Sequence, residues 1–166
     1  MIHGIEWIFF DLGTTLVDET EADYHRIRDM IAGTSITKEK YCRKRLEMIH
    51  QGLQGDLATI KFFGLTKTPW HNEDEKLYPN AEPILEKLKA MGYQLGIIAN
   101  QAFGTKQRLE NWGIDRYFDV IAASAELGIS KPDEDIFRWA LIQARCRAQN
   151  AIMIGDRPFF AGKTVS

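Results

Sequence analysis

An apolar run that ends on one carboxylate, Ile5-Glu6-Trp7-Ile8-Phe9-Phe10-Asp11, followed at once by the turn Leu12-Gly13-Thr14-Thr15-Leu16, constrains this chain more than any other feature. The run reads as a buried strand. Burying an acid at its end is costly unless the charge is paired. An aspartate at the carboxyl end of the first strand of an α/β sheet also lies where such sheets bind ligands. An Asp that merely caps a turn is the ordinary alternative, and three further fragments weigh against it.

In chain order these are Tyr93-Gln94-Leu95-Gly96-Ile97-Ile98-Ala99-Asn100, an apolar run ending in an amide; Glu126-Leu127-Gly128-Ile129-Ser130-Lys131-Pro132, a lysine just before a helix start; and Ala151-Ile152-Met153-Ile154-Gly155-Asp156-Arg157, another strand ending in an acid. If the strands are parallel, acid, amide, lysine and acid meet on one rim. Strand-like runs at about 5–10, 93–99, 119–123 and 151–154 alternate with helical patterns, which predicts βαβ units and a parallel sheet. Helices are expected at 82–91, near 105–112 and at 133–146, with apolar stripes that read as core faces.

The segment from about 18 to 78 carries no convincing strand and predicts amphipathic helices at 21–32, 38–51 and 56–63. Ile36 before Thr37, with Tyr41 four residues on, reads as a hydrophobic staple around an N-cap. A polar connector, 66–75, leads to Pro79.

Length and composition exclude several classes. A chain of 166 residues is of single-domain size with room for a small insertion. A net charge of −2 gives no electrostatic case for nucleic acid or an anionic membrane surface. No stretch approaches about 18 uninterrupted apolar residues, so no membrane span is expected. The N-terminus lacks a secretory leader pattern. Cys42 and Cys146 lack metal-ligand spacing and read as reduced thiols in helical segments, so a cytoplasmic location is expected.

The order and local sequences of the four fragments resemble the haloacid dehalogenase superfamily of phosphohydrolases, from Trp7 to Gly155. The resemblance implies a three-layer, Rossmann-like parallel sheet formed by 1–17 and 79–166, with 18–78 as an inserted all-helical cap that excludes water and holds specificity. It implies Asp11 as a nucleophile that forms an aspartyl-phosphate. Mg²⁺ would lie on Asp11, Asp156 and the main-chain carbonyl of Gly13. Lys131 would offset charge on Asp11 and on the phosphoryl group, with Thr15, Asn100 and Lys131 as phosphate-binding residues. The implied partner is a small phosphorylated substrate, acted on by a monomer or homodimer.

Departures from the family pattern matter equally. The acid that usually lies two residues after the nucleophile, and moves the proton, is Gly13 here. Ala99 stands where a phosphate-binding hydroxyl is usual, and Ala161 where a further acid is common. Losing general acid–base help costs about 10²–10⁴ in rate, least with a good leaving group. Slow turnover biased to acyl or aryl phosphates is therefore expected. Asp18, Glu19 or Glu21 could swing back as a substitute acid; His25 and His71 read as surface or packing histidines.

The family usually continues past the last motif through a helix and an edge strand, so either the C-terminus is lost or the sheet has an exposed edge. The main rival to an enzyme is a catalytically degenerate member that binds a phosphometabolite or partner protein without turnover. Carbon–halogen hydrolysis is disfavoured by Asp156. Phosphonate cleavage needs a cap lysine, and nothing singles out Lys38, Lys40, Lys44 or Lys61.

Overall fold

The computed structural model describes residues 2–156 and falls into two units, Met1–Asp18 with Lys76–Ser166, and Glu19–Glu75. The strands are β1 (Trp7–Phe10), β2 (Val17–Asp18), β3 (Lys76–Leu77), β4 (Gln94–Ala99), β5 (Val120–Ala123) and β6 (Ala151–Ile154). The helices are α1 (Thr20–Ile31), α2 (Lys38–His50), α3 (Gly55–Phe63), α4 (Ala81–Ala90), α5 (Thr105–Asn111), α6 (Ser124–Leu127) and α7 (Glu134–Ala144). None of these is long and apolar enough to cross a membrane.

The first unit is built on a four-stranded, all-parallel sheet of order β5-β4-β1-β6. A strand paired on both edges and covered on both faces needs apolar side chains throughout. β1 satisfies this, and all four of its residues are buried. Its alternation divides the core. Ile8 and Phe10 join Leu95, Ile97, Leu85 of α4 and Leu109 of α5 on one face. Trp7 and Phe9 join Ile98, Val120 and, from α7, Ile136 and Ala140 on the other. Helix, sheet and helix make three layers.

Gly96 lies opposite Phe9 in the β1–β4 register, and a Cβ there would stand 2.5 Å from the Phe9 ring. The glycine is what lets that ring lie flat across β4. α7 is capped at its start by Asp133, whose carboxylate accepts the Asp135 N–H at 3.0 Å, and is stopped after Ala144 by Arg145 in the left-handed region, φ 50°. That stop comes before the expected end at 146 and leaves Cys146 just outside the helix.

Residues 76–77 correct the expectation that 18–78 holds no strand. Lys76 and Leu77 pair antiparallel with Asp18 and Val17. Two residues are too short to give a periodic signal, and only the returning chain makes the pairing.

In the second unit, α1–α3 enclose Ile27, Met30, Tyr41 and Ile60, with Ile36 and Phe63 packed beside them. Thr37 caps α2 by accepting the Lys40 N–H at 3.2 Å, and Ile36 joins the same cluster as Tyr41, as a staple requires. Buried Arg26 is neutralised by Asp56 and stacks on Trp70, 4.7 Å to the ring centroid. Arg45 bridges Asp23 at 2.7 Å and Asp56 at 3.3 Å.

Candidate active site

The site is assembled at the carboxyl ends of β1, β4 and β6, wholly within the sheet unit. Asp11 extends the β1 ladder by one residue, its N–H donating to the Ile154 carbonyl at 2.8 Å. Gly155 lies alongside, where a Cβ would stand 3.3 Å from the Asp11 Cβ. The close approach of the two strand ends brings Asp156, the next residue, to the same rim.

The Asp11 carboxylate is fixed on both oxygens. Oδ1 accepts the Leu12 N–H at 2.9 Å, and Oδ2 pairs with Lys131 Nζ at 2.7 Å. Lys131 is 3% exposed. Ammonium groups are rarely that deep without a counter-charge, because desolvation costs several kcal/mol. A lysine held in such a place faces the carboxylate with little freedom.

Lys131 is positioned by a loop that follows Gly128, at φ 69°, and closes with the Asp133 N–H on the Ser130 carbonyl at 2.9 Å. The Lys131–Pro132 peptide is cis. Asn100, one residue past β4, accepts the Lys131 N–H at 2.7 Å and donates through Nδ2 to the Lys131 carbonyl at 2.9 Å. Asn100, expected at the phosphate, has its side-chain amide engaged by the lysine's main chain. No local pattern signals this clasp, which joins positions 31 residues apart.

The turn after Asp11 is wound tightly. The N–H groups of Thr15, Leu16 and Val17 all donate to the Leu12 carbonyl, and Thr14 takes φ 55°. The Gly13 carbonyl accepts the Thr14 hydroxyl at 2.7 Å and retains a second lone pair. Thr15 Oγ1 is buried with no hydrogen-bond partner among the described residues. Natural proteins seldom leave a buried hydroxyl so, unless something else satisfies it.

The structure thus brings Asp11 and Lys131 into contact, sets Asn100 on Lys131, and places Gly13, Thr15 and Asp156 in the segments at the same strand ends. Ala99 closes β4 without a hydroxyl; Ala161 lies outside the described residues. Two lysines of the helical unit have ordinary local roles. Lys38 lies over Tyr24 at 3.6 Å, and Lys44 lies over Phe62 at 4.3 Å and pairs with Glu47.

Parallel strands with an acid at the carboxyl end of β1, a second acid just past β6 and a buried lysine brought to the first by the loop after α6 define a hydrolase of the haloacid dehalogenase type. The family model described as haloacid dehalogenase-like hydrolase matches residues 8–161, and the chain belongs to that family. It is 30% identical over 175 positions to a glyceraldehyde 3-phosphate phosphatase of Methanothermobacter thermautotrophicus, covering 90% of this chain and 76% of the relative. It is 28% identical over 165 positions to the pyrophosphatase PpaX of Bacillus velezensis, covering 90% and 73%. The crystal structure of a predicted phosphoglycolate phosphatase from Haemophilus somnus superposes with a TM-score of 0.68 at 20% identity, covering 94% of this chain and 79% of that one. That last likeness concerns the fold.

Proposed function

We propose that this hydrolase is a Mg²⁺-dependent phosphatase of small phosphorylated metabolites that works through an aspartyl-phosphate on Asp11. The observation that carries the reading is the buried 2.7 Å pair between Lys131 and Asp11. Relatives named as phosphatases of glyceraldehyde 3-phosphate support the substrate class.

The residues present fit the metal. Asp11, Asp156 and the Gly13 carbonyl offer only oxygen donors, the set that suits Mg²⁺. Two carboxylates and one ammonium leave one net negative charge for a divalent cation to overcome. Bound there, the ion would reduce repulsion between the Asp11 carboxylate and a phosphate dianion.

In the first step an Asp11 oxygen attacks phosphorus as the bond to the leaving oxygen breaks. Lys131 holds the carboxylate and bears part of the phosphoryl charge. Thr15 Oγ1 has a hydroxyl hydrogen available for a phosphoryl oxygen. Gly13 has no proton to give, so the leaving oxygen takes one from water. Water then attacks the phosphorus of the acyl phosphate, which frees inorganic phosphate and regenerates Asp11. Both steps are slow without an acid–base side chain, and good leaving groups are favoured. The helical unit, inserted in sequence between β2 and β3, serves as the specificity cap. The free thiols Cys42 and Cys146 accord with a cytoplasmic setting.

Gly13 favours a second reading, a degenerate member that binds a phosphometabolite without turnover. A panel of aryl, acyl and sugar phosphates, assayed with and without Mg²⁺ beside Asp11→Asn, separates the two. Mg²⁺-dependent activity abolished by that substitution is expected. Activity that survives it overturns the nucleophile, and phosphate binding without hydrolysis selects the second reading.

A further inference from the structure

The helical unit holds its own group of side chains of metal-ligating type, none of them used in the chemistry above. His25 and Asp29 are four residues apart on α1 and therefore share a face. His71 comes from the connector after α3 and returns to that face. The two imidazoles stack with centroids 3.6 Å apart and planes 6° from parallel. His71 Nε2 lies 2.8 Å from Asp29 Oδ2, and His25 Nε2 lies 4.0 Å from Asp29 Oδ1. One ligand atom from each of the three residues lies within 4.8 Å of the other two.

The other edge of each ring is also occupied. His25 Nδ1 lies 2.8 Å from Asp74 Oδ2, and His71 Nδ1 lies 3.0 Å from Glu73 Oε1. A carboxylate on Nδ1 holds a proton there and leaves Nε2 as the atom for a metal; on His71, whose Nε2 also faces Asp29 at 2.8 Å, the ion would displace a second proton. Histidines that bind metals almost always have such a partner. Here both have one, from consecutive residues of the same connector.

Electrostatics point the same way. Three carboxylates, Asp29, Glu73 and Asp74, surround the two stacked rings. One divalent cation between the Nε2 atoms and Asp29 would offset two of these three charges from a single centre. Donors around a tetrahedral Zn²⁺ stand about 3.3 Å apart, given bonds of about 2.0–2.1 Å. The 2.8 Å contact would open slightly, the 4.0 Å one would close, and the two rings, 6° from parallel, would tilt so that both Nε2 atoms converge on the ion. Asp29 is 36% and His25 32% exposed on their side chains, so an ion can enter and water can fill a fourth position.

We propose that His25, Asp29 and His71 form a binding site for a borderline transition-metal ion of the Zn²⁺ class, oriented by Asp74 and Glu73, that clips α1 to the connector. Two imidazoles set its preference apart from the all-oxygen donors of Asp11 and Asp156. Its role is structural, tying together parts of the helical unit separated by 46 residues.

The test uses the full-length chain, free of any histidine tag and stripped with chelator. Zn²⁺ is titrated by calorimetry and Co²⁺ by visible absorption, which reports nitrogen ligation without any substitution. One equivalent is expected in the wild type and in Asp11→Asn. It should vanish in His25→Gln/His71→Gln, whose fold is checked by circular dichroism. Glu73→Gln and Asp74→Asn should each weaken binding about 10- to 100-fold, the range for lost orienting partners. No stoichiometric binding to the wild type, a Co²⁺ spectrum without nitrogen ligation, or binding unchanged in the double variant would each overturn the site. The cluster would then be a clasp held by a proton.

Discussion

Asn100 grips Lys131 by its main chain, the side-chain oxygen taking the Lys131 N–H at 2.7 Å and the side-chain nitrogen reaching the Lys131 carbonyl at 2.9 Å. A primary amide satisfies both groups of one peptide residue much as a neighbouring strand would. The lysine's backbone is thereby tied to the end of β4, while its ammonium pairs with Asp11. The amide positions the lysine and does not itself touch Asp11 among the described contacts.

Asn100→Ala removes both bonds at once. A stability loss of about 1–3 kcal/mol is expected, the usual cost of leaving two partly buried backbone groups unpaired. The catalytic consequence is a fall in kcat larger than any rise in KM, because the loosened group bears transition-state charge. Urea unfolding and steady-state kinetics on an aryl phosphate check both parts. Unchanged kcat with intact folding would remove Asn100 from the positioning role.

Lys131→Met keeps the length and removes the charge. Asp11 would keep its Leu12 N–H partner and its partial access to water, so the fold should survive. A loss of about 10²–10³ in kcat/KM is expected, as for other single charge-stabilising donors. A drop below tenfold would show that the buried pair contributes little to phosphoryl transfer.

How much of this was legible in the sequence depends on range. The strand ends at Asp11 and Asp156 could be placed because β1, buried throughout, and the partly buried parallel strand β6 both write continuous apolar runs. Helix starts at Thr20, Lys38 and Glu134 lie within a residue of the ends expected, since caps and stripes are local signals. The pairing of Val17-Asp18 with Lys76-Leu77 escaped because two residues have no period. The Asn100 clasp and the stacking of His25 on His71 escaped for a different reason. Each joins distant segments through side chains that individually look like ordinary surface polar residues.

Gly96→Ala tests the sheet core. The new methyl carbon would meet the Phe9 ring at 2.5 Å and the Val120 carbonyl oxygen at 3.1 Å. Neither neighbour can step aside easily, since Phe9 is 2% exposed and the oxygen belongs to β5. Overpacking of this kind costs about 1–3 kcal/mol. A lowered urea midpoint with an unchanged m-value is expected. Wild-type stability would mean that the ring tilts without penalty.

Gly13→Asp addresses the missing proton carrier. Gly13 is not one of the positive-φ glycines, so an aspartate there meets no left-handed strain, and the position is part-exposed beside the nucleophile's turn. A carboxyl group two residues after Asp11 could protonate a departing alkoxide and then draw a proton from the attacking water. Turnover of a sugar phosphate should rise by about 10²-fold or more, the lower end of general acid–base contributions. An aryl phosphate, whose leaving group needs little help, should gain far less. The ratio of the two rates is therefore the informative quantity. An unchanged ratio in a folded, Mg²⁺-supplied variant would show that proton transfer is not what limits this site.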